Sequence, residues 1–109
     1  MAKIKITQKR NNSTEIALSG ELTIFCAMDL YQEHIQKIKF KSKVIFKLSS
    51  VSEIDTAGMQ IILILFKEIK KQSGEYEVSS ISDVISDYVK LFNLENYFSP
   101  SIKNTEPQL

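Results

Sequence analysis

Hydrophobic and polar residues alternate with a period of two along Lys3-Ile4-Lys5-Ile6-Thr7, the spacing of a strand with one buried face. Asn11-Asn12-Ser13 carries turn chemistry. Thr14 to Leu18 alternates again, with Ile16 and Leu18 on one side, so the two runs predict a hairpin. Gly20 interrupts the pattern, and Glu21-Leu22-Thr23 reads as a short third strand. From Ala27 to Phe40 the period lengthens: Met28, Tyr31, Ile35 and Ile38 follow at intervals of three and four, which predicts an amphipathic helix. Val44 to Leu48 is short, β-branched and nearly continuous, the pattern of a strand buried on both faces.

Ser49 to Gly58 is polar and predicts a loop. Met59 to Lys71 is long enough for a helix, closed at Gly74, and its terminal Lys67, Lys70 and Lys71 suit the negative end of the helix dipole. Glu75 to Ser79 alternates, with Tyr76 and Val78 inward. Ser82 can cap a helix from Asp83 to Phe92, whose apolar stripe is Ile85, Tyr88 and Phe92. Leu94 to Phe98 reads as one further turn, and Ser99 to Leu109, which holds both prolines, as a loose tail. The order predicts an α/β sandwich with a mixed β-sheet and helices packed mainly on one side. Residues 1–98 form a single domain in this reading and 99–109 the tail.

Composition narrows the chemistry. With one Cys and one His in 109 residues, neither a disulfide framework nor a Cys/His zinc cluster can be assembled from those residues alone. Three glycines leave no room for a glycine-rich phosphate cradle. His34 lies beside the predicted apolar stripe without an orienting partner, and Cys26 suits a small packing residue better than a reactive thiol. The net charge of +1 argues against non-specific nucleic-acid binding. The charge is uneven: residues 1–50 carry nine basic and four acidic groups, among them Lys37, Lys39, Lys41, Lys43 and Lys47. That cluster reads as a solvated helix end and loop, with an anionic partner as the alternative. Met1 to Arg10 has no apolar signal-peptide core. The longest apolar run, Ile61 to Phe66, is six residues against the roughly 18 of a membrane span. A cytoplasmic location is expected, with Cys26 unpaired.

The stretch Leu48-Ser49-Ser50-Val51-Ser52-Glu53-Ile54-Asp55-Thr56-Ala57-Gly58 joins a predicted buried strand to a predicted buried helix. It resembles the strand–loop–helix signature of STAS domains, the anti-sigma-factor antagonist family. Leu18-Ser19-Gly20-Glu21-Leu22-Thr23 resembles that family's Gly-Glu-Leu turn before its first helix, and Gly74 and Leu91-Phe92-Asn93-Leu94 fall at family spacing. The resemblance covers about residues 4 to 98. It implies a non-enzymatic partner-switching module, without a cofactor, that binds a serine/threonine kinase acting as anti-sigma factor. Phosphorylation at Thr56, within Asp55, Ala57 and Gly58, would control it, and a phosphatase would reset it. Leu22, Thr23, Ile24 and Met59 are the expected partner-binding residues. Many antagonists carry Asp where this chain has Thr23. Variants reading Leu-Thr-Ile with Asp-Thr-Ala-Gly resemble other bacterial STAS proteins: chemotaxis- or signalling-associated adaptors, and the cytoplasmic STAS subunit that binds the ATPase of a phospholipid transporter without a switch.

The physics of this position does not depend on the family. Backbone N–H groups at a helix start lack intrahelical partners, and the dipole there is positive. A phosphate on Thr56, with about −1.5 to −2 charges, is therefore tolerated, so phosphorylation is expected to change the surface and not the fold. Asp55 or Thr56 can equally act as a helix cap and nothing more. Glu53 and Asp55 could in principle serve as acid and base, but no nucleophile or oxyanion motif accompanies them.

Overall fold

The computed structural model describes residues 2–33 and 43–98. Among the described residues, four strands run β1 (Lys3–Gln8), β2 (Ser13–Leu22), β3 (Lys43–Ile54) and β4 (Glu75–Ile81), in that spatial order. Three helices are described, α1 (Ile24–Glu33), α2 (Thr56–Lys71) and α3 (Asp83–Leu91), and a 3₁₀ turn spans Glu95–Phe98. β1 pairs antiparallel with β2, while β2–β3 and β3–β4 are parallel. The sheet is therefore mixed, as the pattern predicts.

The hairpin closes where Lys9 N–H donates to the Ser13 carbonyl at 2.8 Å, with Asn12 at φ 63°. Asn tolerates that left-handed conformation better than most residues. Ile16, Leu18, Val44, Phe46, Leu48 and Val78 point from the strands into one core. Met59, Ile62, Leu65, Phe66 and Ile69 of α2, with Ile85 and Val89 of α3, close it from one side. The other sheet face is polar. Lys47 pairs there with Glu15 at 3.2 Å, and Lys43 with Glu77 at 3.2 Å. β3 is thus buried on one face, not on two.

Four further expectations are corrected. Glu21 and Leu22 continue β2 instead of forming a third strand. β3 runs on to Ile54, and α2 begins at Thr56, so most of the expected polar loop is strand. The first helix begins at Ile24 and buries Ala27 and Leu30; Met28 is 62% exposed. Phe92 is 53% exposed, and α3 buries Ile85 and Val89 instead. Ile35, Ile38, His34, Lys37, Lys39, Lys41 and residues 99–109 lie outside the described residues.

The long β3 has a geometric cause. Between Ala17 and Ser19 of β2 the pairing advances from Lys47 to Ser50, and between Gly20 and Glu21 from Val51 to Glu53. Each shift inserts one extra residue into β3. Such bulges bend a strand and redirect its side chains. The result carries β3 past the end of its pairing with β4, still paired with β2 as far as Ile54, and delivers Asp55 to the start of α2.

Candidate functional site

The site gathers where β2 and β3 end and α1 and α2 begin. Asp55 caps α2 from an extended conformation, φ −125° and ψ −173°. Its Oδ1 accepts the Gly58 N–H at 2.9 Å. Its Oδ2 accepts the Ile24 N–H, also at 2.9 Å, 31 residues away in sequence. One carboxylate therefore ties the first turns of both helices together. The Gly58 bond first, then the Ile24 bond, holds the Asp55 carboxyl below its ordinary value, because both donate to the charged form.

Thr56 is exposed, and its Oγ1 lies 2.9 Å from the Tyr88 hydroxyl of α3, either oxygen being able to donate. Gly58 is buried against the end of β2. A Cβ there would overlap the Leu22 carbonyl oxygen and lie 2.7 Å from the carbonyl carbon. The motif glycine is thus required by close approach of two backbones. Ala57 is half-buried and packs against the core.

Of the expected contact residues, Ile24 is exposed and Thr23 half-buried; the Thr23 carbonyl accepts the Cys26 and Ala27 N–H groups at 2.9 Å each. Leu22 and Met59 are core residues, 0% and 2% exposed, and offer no side chain to a partner in this fold. Ile24 borders a surface feature whose further members Met28, Tyr31 and Ile64 were not among the expected contact residues. Ile24, Met28, Tyr31, Ala57 and Ile64 line an apolar groove of about 430 Å³ between α1 and α2. Phe25, 90% exposed, lies outside this groove and lines a separate cavity with Ala2, Ile4, Cys26 and Asp29. On the other side of Thr56 a cleft of about 500 Å³ is lined by Glu53, Asp55, Asp87, Tyr88 and Leu91, among others. The signal available in sequence was a surplus: Ile24, Phe25 and Met28 cannot all face inward once Ala27 and Leu30 do. Tyr88 carried no signal, since it fits an apolar stripe equally well.

Cys26 is a free, partly buried cysteine. Among the described residues no three His, Cys, Asp or Glu side chains converge on a point that could hold a metal ion. No described helix is long and apolar enough to cross a membrane.

The family model of the STAS domain matches residues 4–109. The chain belongs to the STAS domain family. This STAS domain is 32% identical over 79 residues to the intermembrane phospholipid transport system binding protein MlaB of Escherichia coli, covering 72% of this chain and 79% of that one. It is 24% identical over 92 residues to the anti-sigma-B factor antagonist of Bacillus subtilis, covering 84% and 82%. Its fold matches that of the anti-sigma factor antagonist SpoIIAA in its unphosphorylated form, with a TM-score of 0.68 at 15% identity over 88% and 85% of the two chains. The relatives represent two of the resemblances drawn from the sequence, the antagonists and the transport protein.

Proposed function

We propose that this STAS domain is a regulatory protein-binding module, not an enzyme, that docks through the α1–α2 groove beside Thr56 and is released when Thr56 is phosphorylated. The observation that carries this reading is the placement of an exposed hydroxyl next to an open apolar groove. Ile24, Met28 and Ile64 of the groove are 64%, 62% and 37% exposed, a concentration of apolar surface of the kind that marks interaction sites. Phosphorylation would turn the Thr56 hydroxyl into an ester oxygen that can no longer donate to Tyr88 and would set about two charges at the groove's edge. Bringing those charges against an apolar partner surface costs desolvation, while the helix start accommodates them in the free protein. The partner in this reading is a cytoplasmic kinase-type anti-sigma factor, and a phosphatase acting on Thr56 resets this domain.

A second reading is favoured by the identity to the transport-system binding protein, which exceeds that to the antagonist. Here the groove is covered permanently by a transporter component, for which the ATPase is the expected candidate, and Thr56 contributes contact and capping only. One experiment separates the two: purification from native cells with intact-mass analysis, comparing wild type, Thr56→Ala, Thr56→Glu and Met28→Asp. Met28→Asp, at an exposed position of the groove, is expected to fold and to lose its partner in either reading. Loss for Thr56→Glu with retention for Thr56→Ala, together with phosphate on the wild type, supports the switch. A transporter component held by unphosphorylated wild type supports the second reading. Equal recovery of one partner by all four proteins refutes both.

A further inference from the structure

A second cleft lies at the other end of α2. At 1.5 Å per residue, Lys70 is about 21 Å from Thr56 along the helix. The cleft has a volume of about 550 Å³ and is lined by Phe66, Lys67, Lys70, Lys71, Tyr76 and Tyr97. Its floor is aromatic and fixed. The Tyr76 ring lies flat on Phe66, centroids 4.1 Å apart and planes 6° apart. The Tyr76 hydroxyl donates to the Tyr97 carbonyl at 2.8 Å, which ties the 3₁₀ turn to β4. Lys70 Nζ sits 5.7 Å from the Tyr76 ring centroid. Tyr97 itself is 44% exposed.

The rim is cationic. Lys67, Lys70 and Lys71 are all exposed. Among the described residues no carboxylate lies within 4.0 Å of any of the three ammonium groups, whereas Lys9, Lys43 and Lys47 on the sheet side each have one. The helix dipole favours cations here but supplies only about half a charge. Membrane-surface sites drive protruding apolar side chains into the headgroup region. Here the apolar floor is recessed, with Phe66 only 1% exposed. A recessed aromatic floor under a lysine rim fits a chain segment better than a bilayer.

We propose that this cleft is a second docking site, which takes an acidic polypeptide segment bearing an aromatic or apolar anchor residue. Carboxylates of the segment meet the lysine rim, which speeds encounter and selects charge, while the anchor packs on Tyr97 and the edge of Tyr76. The site shares no residue with the groove beside Thr56. A protein could therefore be held here whatever occupies, or modifies, the other end.

The test is fluorescence anisotropy of the full chain with a fluorescein-labelled peptide of glutamates around one central Phe, alongside the same peptide with Gly in place of Phe. Circular dichroism verifies that each variant is folded. Charge reversal of Lys67, Lys70 and Lys71 to Glu, Tyr97→Ala, and the Phe-to-Gly peptide are each expected to weaken binding tenfold or more, and Thr56→Glu to leave it within twofold. Equal binding of both peptides with no effect of Tyr97→Ala overturns the proposal, since bare charge attraction would then suffice. Two other results also overturn it. One is absence of peptide binding with lysine-dependent sedimentation on phosphatidylglycerol vesicles. The other is a concentration-dependent dimer in analytical ultracentrifugation that charge reversal abolishes.

Discussion

Gly58→Ala tests the backbone contact on which the site rests. In an exposed helix this substitution would add about 1 kcal/mol of stability from propensity. Here the new methyl would overlap the Leu22 carbonyl oxygen, with the carbonyl carbon at 2.7 Å and Leu22 Cγ at 3.1 Å. The main obstacle is backbone in a paired strand, which cannot swing aside as a flexible side chain can. Overpacking costs about 1–3 kcal/mol, and a rigid backbone obstacle belongs at the upper end. Withdrawal of the helix start also strains the Asp55 N–H to Leu22 carbonyl bond, 3.4 Å, and the Gly58 N–H to Asp55 bond. One such bond is worth about 1 kcal/mol. The net expectation is a loss of about 3 kcal/mol, or a fall in Tm of about 12 °C or more for a domain of this size. Urea unfolding followed by circular dichroism measures it. A variant as stable as wild type, or more so, would show that the contact yields freely and that helix propensity governs the position.

Asp55→Ala is expected to cost about 1 kcal/mol at pH 7 through loss of the cap. The Asp55 carboxyl is held below its ordinary 3.8, so the native state favours the charged form. Its contribution is present above the unfolded value and is lost as pH falls through the lower folded one. The stability gap between wild type and Asp55→Ala should therefore be constant near neutrality and narrow below about pH 4; a gap that widens in acid refutes the assignment. Glu15, also lowered, chiefly by its hydrogen bond to Lys47, is common to both proteins and cancels. Phe66→Ala is expected to cost about 3–5 kcal/mol, because Phe66 meets Phe46 at 5.0 Å, Tyr76 at 4.1 Å and Phe98 at 5.2 Å between centroids. A loss under about 2 kcal/mol in the same urea assay would mean that the cluster closes over the gap.

Much of the fold was legible because period and turn chemistry agree. Lys3 to Leu18 alternates on both sides of an Asn-rich turn, and Ser82 does accept the Ile85 N–H, at 3.5 Å. The end of β3 was not legible. Leu48, Val51 and Ile54 are spaced by three because two bulges break the alternation, and a strand with that spacing mimics a polar loop. The first helix misled for a different reason: its exposed apolar residues outnumber the two described buried ones, so periodicity selected Met28 over Ala27 and Leu30. At the site, Asp55 and Gly58 stood out by motif. The partners that explain them, Ile24, Leu22 and Tyr88, are separated by tens of residues and carry no local mark. The closure of α2 differs in detail as well. Ser73, at φ 65°, takes the left-handed position, and Gly74 N–H then reaches back to the Ile69 carbonyl at 2.9 Å.

The mixed sheet also sets an order of assembly. The β1–β2 hairpin closes across a short turn, an event of microseconds. Parallel pairing of β2 with β3, as at Ile16 and Phe46, must first close a loop of some thirty residues, at an entropic cost of about 3 kcal/mol beyond the constant term. The carboxylate of Asp55 reaches Ile24 only once that loop has closed. The end of the molecule that carries Thr56 therefore depends on a loop closure that the hairpin does not need, and a chain in which that loop is open lacks the tie between the starts of α1 and α2.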